Sequence, residues 1–231
     1  MEACKVENNT PGAVFWMYVM RFEVDEYPDT KVSFLPRPCQ HCSNAPCVKV
    51  CPVGARYKRE DGLTLTDFDR CIGCRYCEVA CPYGVNYFNW RNPERAWAQY
   101  HVPFDDPDLA EVTGGVFPAY RNPDHDQKHG PEQRTNSGST HQKGVIEKCT
   151  FCVHRIEKNL PPACVDTCPV EALTFGDTED PTSSISEVLR ERESFQLLED
   201  LGTDPSVHYL GGVPPNSKAR EIERPLTKVE R

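Results

Sequence analysis

The sequence lacks a long hydrophobic run. Its longest apolar stretch, Ala13 to Met20, has eight residues, whereas a membrane-spanning helix needs about 20. No basic segment followed by an apolar one opens the chain, so neither a signal peptide nor a twin-arginine leader is visible. We therefore predict no membrane span.

Positive charge is also in short supply. The 231-residue chain has a formal net charge of −9, which argues against nucleic acid or an anionic membrane surface as the main partner. Only 38% of the residues are hydrophobic and 21 are proline, so much of the chain should be loop that something other than apolar packing holds in place. No nucleophile–base pair, phosphate-binding loop or dinucleotide-binding motif is recognisable, so no bond-making chemistry is predicted.

Cysteine, in contrast, is abundant. The chain has 13 cysteines, and all but Cys4 fall into three compact groups in which most neighbours are two or three residues apart. Cysteines this close in sequence rarely form good disulfides but are well placed to share a metal. Metal ligation is therefore favoured over a disulfide framework.

The spacing within the three groups indicates the type of metal centre. The run from Cys71 to Pro82 is Cys-x2-Cys-x2-Cys-x3-Cys-Pro, the ferredoxin signature in which three cysteines bind one [4Fe–4S] cluster and the fourth binds a second cluster. Cys39 to Pro52 is a similar run with four residues in the second interval, and Cys149 to Pro169 has eleven there. A structural zinc ion could be held by the last run alone, but its Cys-Pro ending and the two earlier runs favour iron and sulfide.

Segments between the runs predict an α+β fold. Residues 14–24 are rich in aromatic and β-branched side chains and favour a buried strand. Alternation on both sides of Asp61-Gly62 predicts a β-hairpin, and residues 170–175 predict a further strand. The Ser-Ile-Ser-Glu sequence from Ser184 resembles a capping box and predicts an amphipathic helix over residues 184–199.

Several single residues allow two interpretations. His41, between two cysteines, could tune a cluster through a hydrogen bond to sulfur, but an ordinary loop role is preferred. Trp16 is expected to pack in the core rather than to tune a cluster. Arg155 could offset thiolate charge or lie exposed. Three glycines near the runs are expected to let the backbone approach the clusters: Gly54, Gly73 and Gly84.

Residues 91–144 form an insertion rich in proline, aspartate, asparagine, glutamine and histidine. A long segment without periodicity is typical of a partner-contacting loop or of partial disorder. Because the histidines are irregularly spaced, we interpret them as solvated loop residues rather than as a second metal site: His101, His125, His129 and His141.

Two phrases resemble a known family: Glu-Ala-Cys-Lys-Val-Glu-Asn around Cys4, and Gly-Val-Ile-Glu-Lys-Cys-Thr-Phe-Cys-Val-His-Arg-Ile from Gly144. Together with the three runs they resemble the four-cluster electron-transfer subunit of complex iron–sulfur molybdoenzymes, such as dimethyl sulfoxide, polysulfide and tetrathionate reductases. The iron–sulfur region of alternative complex III is similar. The resemblance implies that Cys4 closes a further run whose first three cysteines would precede Met1, so we expect a truncated or internally started N-terminus.

In that family the cysteine runs pair crosswise. The resemblance implies the following ligand sets: Cys39, Cys42, Cys47 and Cys81 for cluster A; Cys71, Cys74, Cys77 and Cys51 for cluster B; Cys149, Cys152, Cys164 and Cys4 for cluster C; and Cys168 for cluster D. This gives three [4Fe–4S] clusters. A fourth, [4Fe–4S] or [3Fe–4S], is expected only in a full-length chain.

The expected architecture is two ferredoxin-like, two-cluster modules with a loop insertion, a C-terminal helix and a tail. Residues 36–90 would form the central module, residues 1–35 with 145–180 the second, residues 91–144 the insertion, and residues 181–231 the helix and tail.

The resemblance further implies a non-catalytic electron-transfer subunit of an oxidoreductase complex. It would relay electrons between a molybdopterin-containing catalytic subunit and an integral membrane quinone-binding subunit, as a peripheral part of a membrane-associated respiratory complex. Two alternatives stay open: a free-standing soluble polyferredoxin, and a non-redox protein with structural zinc.

Overall fold

The computed structural model describes residues 1–10, 14–24, 27–90, 141–211 and 220–221, together with residues 128, 130 and 134. The insertion predicted over residues 91–144 lies almost wholly outside the described residues. The same is true of His101, His125 and His129, so their interpretation as solvated loop residues stays a prediction.

The described chain combines short helices with small antiparallel sheets, which confirms the predicted mixture of the two. The helices are α1 (Glu2–Glu7), α2 (Pro46–Lys49), α3 (Tyr76–Val79), α4 (Val153–Ile156), α5 (Ala163–Asp166), α6 (Ser184–Glu191) and a 3₁₀ turn at Glu199–Leu201. The strands are β1 (Tyr18–Val24), β2 (Lys31–Arg37), β3 (Arg56–Lys58), β4 (Thr64–Thr66), β5 (Tyr87–Phe88), β6 (Ile146–Glu147), β7 (Ser194–Phe195), β8 (Tyr209–Leu210) and β9 (Arg220–Glu221).

The largest sheet has the order β2-β1-β9, in which β1 and β2 precede the three cysteine runs and β9 follows them. β1 and β2 are antiparallel, from Tyr18 opposite Arg37 to Val24 opposite Lys31. The strand predicted over residues 14–24 is therefore confirmed from Tyr18 onward, but the buried residues of this segment, Val14, Trp16 and Met17, precede the strand. Trp16 precedes it and is 1% exposed, which fits its predicted role in the core.

The predicted hairpin is formed by β3 and β4, with Arg56 opposite Thr66. Its turn contains Gly62 at φ +81°, a backbone conformation that favours glycine. Leu65 of β4 is fully buried and packs with Val153 of α4. The hairpin therefore connects the first two cysteine runs along the chain and also supports the third.

Cysteines make up much of the core. In the core cluster that contains Trp16, the largest fully buried apolar side chains are Trp16, Ile146 and Val85. The same cluster of buried side chains contains six cysteines: Cys4, Cys39, Cys42, Cys47, Cys77 and Cys149. Thiol-rich surroundings thus take the place of a large aliphatic core, as the low hydrophobic content predicted.

The strand predicted over residues 170–175 is wrong, because this segment has no strand partner among the described residues. Its backbone forms a hydrogen bond to sulfur instead: the amide of Ala172 donates to Sγ of Cys168 at 3.3 Å. Glu171 adopts φ +49°, which is incompatible with an extended strand.

The C-terminal helix is shorter than predicted and ends at Glu191. Its N-cap is Ser183, whose side chain accepts from the amide of Ser186. Phe195, placed in the helix from the sequence, belongs to β7 and stacks on Tyr209 of β8 with ring centroids 5.5 Å apart. Pairing across β7 and β8 has overridden the helical pattern here.

Within the ranges that the structure describes, no helix is both long and apolar enough to span a bilayer.

Candidate metal centres

One cysteine-lined cavity lies at the end of the hairpin. Its sulfur donors are Cys51, Cys71, Cys74 and Cys77. Cys77 lies in α3 and is buried, whereas Cys74 is exposed. The cavity therefore reaches the protein surface at Cys74.

A second cavity lies beside it. Its sulfur donors are Cys39, Cys42, Cys47 and Cys81, of which the first three are buried. Each of the two cavities is thus lined by three cysteines of one run and one of the other. We call the eight cysteines around both cavities the central group.

Four further cysteines come together, three of them buried and Cys164 partly buried. We call them the distal group: Cys4, Cys149, Cys152 and Cys164. Burial raises the pKa of Cys4 to about 12, and the thiolates of Cys152 and Cys164 add to this effect. The pKa of Cys149 is raised well above its usual value by burial and then by Cys4, Cys152 and Cys164. All four sulfurs therefore act on one another, although Cys4 is far from the others in sequence.

These raised pKa values identify what the distal group needs. Buried sulfurs that repel one another when ionised stay protonated unless a positive charge lies between them. Metal ligation supplies that charge and displaces the thiol protons. Four sulfur donors in a dry setting suit a bound iron–sulfur core.

Backbone amides point at several of these sulfurs. The amide of His41 donates to Sγ of Cys39 at 3.5 Å, that of Arg56 to Sγ of Cys51 at 3.3 Å, and that of Phe151 to Sγ of Cys149 at 3.4 Å. Hydrogen bonds to cluster sulfurs are one of the means by which proteins set cluster potentials. The local fold thus fits thiolate ligands.

Cys168 lies outside both groups, although its thiolate is one of the charges that raise the pKa of Cys164. It does not line either cavity, and it is only partly buried. Backbone amides of Ala172 and Val170 lower its pKa, so a surface thiolate is stabilised at this position by the turn that follows it.

His41 lies in a loop, as the sequence favoured, and its ring bonds to backbone rather than to sulfur. It is nevertheless buried, at 1% exposed. Nδ1 accepts from the amide of Thr64 at 3.1 Å, so Nε2 carries the proton and donates to the carbonyl of Cys149 at 3.0 Å. The ring also stacks on Phe151 with centroids 3.8 Å apart. His41 therefore ties the central group to the distal group.

Lys148 makes a second connection and was missed in the sequence. Its side chain is buried and lines the cavity of Cys39 and Cys81. Its Nζ donates to the carbonyls of Thr64 and, at 3.0 Å, of Cys149. A lysine directly before a cysteine run was the available signal, since a buried cation beside thiolates offsets their charge.

Asn8 was also missed. It is 1% exposed, and its Nδ2 lies 3.6 Å from Sγ of Cys4 and 3.5 Å from Sγ of Cys152. His141 supports it, with Nε2 bonded to the carbonyl of Asn8 at 2.9 Å and Nδ1 to Glu147 at 2.7 Å. The interpretation of His141 as a solvated loop residue is therefore wrong: it is buried.

Two other interpretations change in detail. Arg155 forms ion pairs with carboxylates rather than offsetting thiolate charge: it bonds to Asp166 at 2.7 Å and to Glu7 at 3.4 Å. Glycine is required at position 73 by the backbone of Gly144 rather than by a cluster, because a Cβ there would lie 2.2 Å from the carbonyl oxygen of Gly144.

Comparison with known proteins gives a family and several relatives. Residues 30–99 and 135–178 match the family described as a 4Fe-4S dicluster domain. The chain is 42% identical to the arsenate respiratory reductase iron–sulfur subunit of Shewanella sp. strain ANA-3, over 90% of this chain and 88% of the relative. It is 39% identical to the Hdr-like menaquinol oxidoreductase iron–sulfur subunit 1 of Archaeoglobus fulgidus, over 91% and 72%, and 38% identical to a selenate reductase subunit of Mesobacillus selenatarsenatis, over 90% and 65%.

Proposed function

The chain belongs to the family of iron–sulfur electron-transfer subunits with a 4Fe-4S dicluster domain, and from this premise we propose that it relays electrons between a catalytic and a membrane subunit. The catalytic partner would contain molybdopterin, and the other partner would be an integral membrane subunit that binds quinone or quinol. The chain itself would be a peripheral part of that membrane-associated complex. Relatives named as subunits of arsenate and selenate reductases and of a menaquinol oxidoreductase support both partners.

Each cysteine set would hold one cluster, with crossed ligation in the central group. Cluster A would be bound by Cys39, Cys42, Cys47 and Cys81, cluster B by Cys71, Cys74, Cys77 and Cys51, and cluster C by Cys149, Cys152, Cys164 and Cys4. The lining of the two cavities and the mutual pKa effects in the distal group support these sets. When bound, a [4Fe–4S] cluster gains or loses one electron without making or breaking bonds of a substrate.

The observation that carries the proposal is that the cysteines of cluster A lie next to those of cluster B on one side and to the distal group on the other. Arg56 lines the cavity of cluster B and bonds to Asn86, which lines the cavity of cluster A. His41 and Lys148 then connect the cluster A site to Cys149 of the distal group. Three contiguous sites form a path for electrons through the interior.

The path reaches the surface at Cys74. The side chains around it are large, apolar and exposed, with exposed fractions of 63% for Ile72, 62% for Tyr76 and 86% for Val79. Such a patch on a charged chain is typical of a protein-binding surface. It supports a fixed partner more than a freely diffusing carrier, so the soluble polyferredoxin is the weaker alternative.

The two-module arrangement follows from these ligand sets. Residues 36–90 would hold clusters A and B, and residues 1–35 with 145–180 would hold cluster C. Cys168 would be left over for a cluster D, for which the 231 residues hold no further cysteine. The twelve other cysteines would bind three clusters.

Metal analysis of the purified chain tests the proposal. Three clusters correspond to about 12 iron and about 12 acid-labile sulfide per chain, at four each per cluster. Zinc without sulfide would end the iron–sulfur assignment. Pull-down of the tagged chain from its native membranes should recover a molybdopterin subunit and a membrane subunit, and a monomer that brings neither with it would favour the free polyferredoxin.

A further inference from the structure

Arg56 is a buried cation without an acidic partner. It opens β3 and is only 2% exposed. Its Nη2 donates to Sγ of Cys77 at 3.3 Å and to Oδ1 of Asn86 at 2.9 Å. In the part of the chain that the structure describes, no carboxylate pairs with it. Since an unpaired buried charge is strongly unfavourable, its counter-charge must lie elsewhere.

Two further N–H groups of Arg56 show on which side of the guanidinium an acceptor is needed. Its Nε and Nη1 are buried and have no hydrogen-bond partner among the described residues. Guanidinium groups carry five N–H donors and stay charged in proteins. Buried donors of this kind are normally satisfied, so a further acceptor belongs beside this side chain.

The position of Arg56 identifies the acceptor as sulfur. Its side chain lines the cavity framed by Cys51, Cys71, Cys74 and Cys77. Its own amide donates to Sγ of Cys51. Burial lowers the pKa of Arg56, and the thiolates of Cys77, Cys47 and Cys39 outweigh that effect and raise it. Cysteines of both cavities therefore act on one guanidinium.

Asn86 fixes the guanidinium in the wall between the two cavities. It lines the cavity of the other four cysteines. Its Nδ2 donates to the carbonyl of Cys77 at 2.9 Å, while its Oδ1 accepts from Arg56. Both polar atoms of the Asn86 side chain are thus bonded, which keeps the guanidinium of Arg56 oriented toward the sulfurs.

We propose that Arg56 is a positioning residue that raises the reduction potentials of the two central clusters, and this rests on the proposed electron-relay function. Reduction adds one negative charge to a cluster, so a fixed cation and N–H donors beside the sulfurs stabilise the reduced form. The effect is larger for cluster B, because Arg56 bonds directly to its ligand Cys77. The positive charge of Arg56 also acts on cluster A, but without a direct hydrogen bond to a ligand of that cluster.

The test compares three variants of the full chain purified with its clusters. Arg56→Gln removes the charge, and Arg56→Lys keeps the charge but loses the fork. Arg59→Gln is the matched control, since Arg59 lies on the same hairpin but pairs with Asp61 and Glu157 away from the cysteines. Reduction potentials of clusters A and B are measured by redox titration monitored by EPR.

Arg56→Gln should lower both potentials, with the larger shift at cluster B. Arg56→Lys should lower cluster B while leaving cluster A close to the wild type, and Arg59→Gln should change neither. Unchanged potentials in Arg56→Gln with full cluster content, or equal shifts in Arg56→Gln and Arg59→Gln, would overturn the proposal. Iron and sulfide content is measured in each sample, so that failure of the iron–sulfur assignment itself is recognised separately.

A measurement on the wild-type chain keeps the proposal testable if the variants lose their clusters. Arginine labelled with ¹⁵N in the guanidinium group is incorporated, and pulsed EPR is recorded on reduced cluster B. A weak ¹⁵N coupling is expected from the Nη2 donor to Cys77. Its absence would overturn the proposal regardless of how the variants behave.

Discussion

The central and distal groups of cysteines are assembled in different ways. The central group lies within residues 39–81 and is shaped by two single-turn helices and one hairpin. The distal group combines Cys4 of α1 with cysteines that follow it by more than a hundred residues, and α1 packs against α5 to close it. Short-range spacing is therefore sufficient for the first group, whereas the second depends on long-range packing.

Polar contacts help to hold helix α1 in place. Glu7 bonds to Nε2 of His154 at 2.8 Å and to Arg155 at 3.4 Å, and the carbonyl of Asn8 is bonded to His141. The helix has only six residues, too few to be stable alone. The distal group therefore needs the rest of the protein to hold its fourth cysteine.

Cys4→Ser should give the largest effect, because it removes a ligand and also the buried contact that anchors α1. We expect loss of cluster C and of about one third of the iron, four of about 12 atoms. The EPR signals of clusters A and B should persist. Iron analysis and cluster-resolved EPR measure both results.

Cys168→Ser is the matched control for Cys4→Ser. Because Cys168 belongs to neither group, all three clusters should remain in this chain. If instead Cys168→Ser removed cluster C and Cys4→Ser left it intact, the last run would ligate a cluster on its own and the distal set would be wrong.

Cys51→Ser should have the next largest effect, limited to one cluster of the central group. Cys51 follows α2 in the first run but lines the cavity of Cys71, Cys74 and Cys77. We therefore expect damage to cluster B and little change in cluster A, as seen by EPR of the reduced protein. Cys81→Ser should give the opposite result, since Cys81 lines the other cavity.

The crossed pairing would be rejected by the reverse pattern. Damage to cluster A in Cys51→Ser, or to cluster B in Cys81→Ser, would mean that each run binds its own cluster. Loss of both clusters in either variant would show instead that the central group assembles only as a pair.

The sequence predicted those parts that depend on local spacing. Cysteine intervals identified the metal centres, and alternation around Asp61-Gly62 located the hairpin. It could not predict the partner of His41, because that partner is the carbonyl of Cys149, 108 residues away. It failed at residues 170–175 for a related reason: a strand needs a neighbour, and local composition does not supply one.

Arg56 shows the same limit at the site. Alternation in the hairpin assigns its side chain to one face of β3, but the sequence does not reveal that two sets of thiols meet at that face. His141 was misassigned because its neighbours are polar, although its own contacts to Glu147 and Asn8 are buried. Burial of polar residues by long-range packing is the information that one-dimensional patterns lack.

The smallest predicted effect concerns His41, where the two groups meet. Asn in place of His41 can still accept from the amide of Thr64 but is too short to reach the carbonyl of Cys149. Gln can reach that carbonyl with its amide nitrogen but no longer accepts from Thr64 in the same way. His41→Gln leaves the buried amide of Thr64 unpaired, at about 1–3 kcal/mol. His41→Asn should cost less, because the carbonyl of Cys149 still accepts from Nζ of Lys148.

The two substitutions should differ in how the clusters are lost in urea. In the wild type we expect the EPR signals of the central and distal clusters to disappear in one transition, since His41 and Lys148 join the two sites. His41→Asn should shift cluster C to lower urea than clusters A and B, because it removes the bond from His41 to the carbonyl of Cys149 and leaves only that of Lys148. His41→Gln should shift all three together, because it weakens the hairpin and keeps that bond. Equal shifts of cluster C in both variants would mean that the hydrogen bond from His41 to Cys149 does not couple the two groups. Both variants lose the stacking of the imidazole ring on Phe151, so this stacking would then account for the coupling.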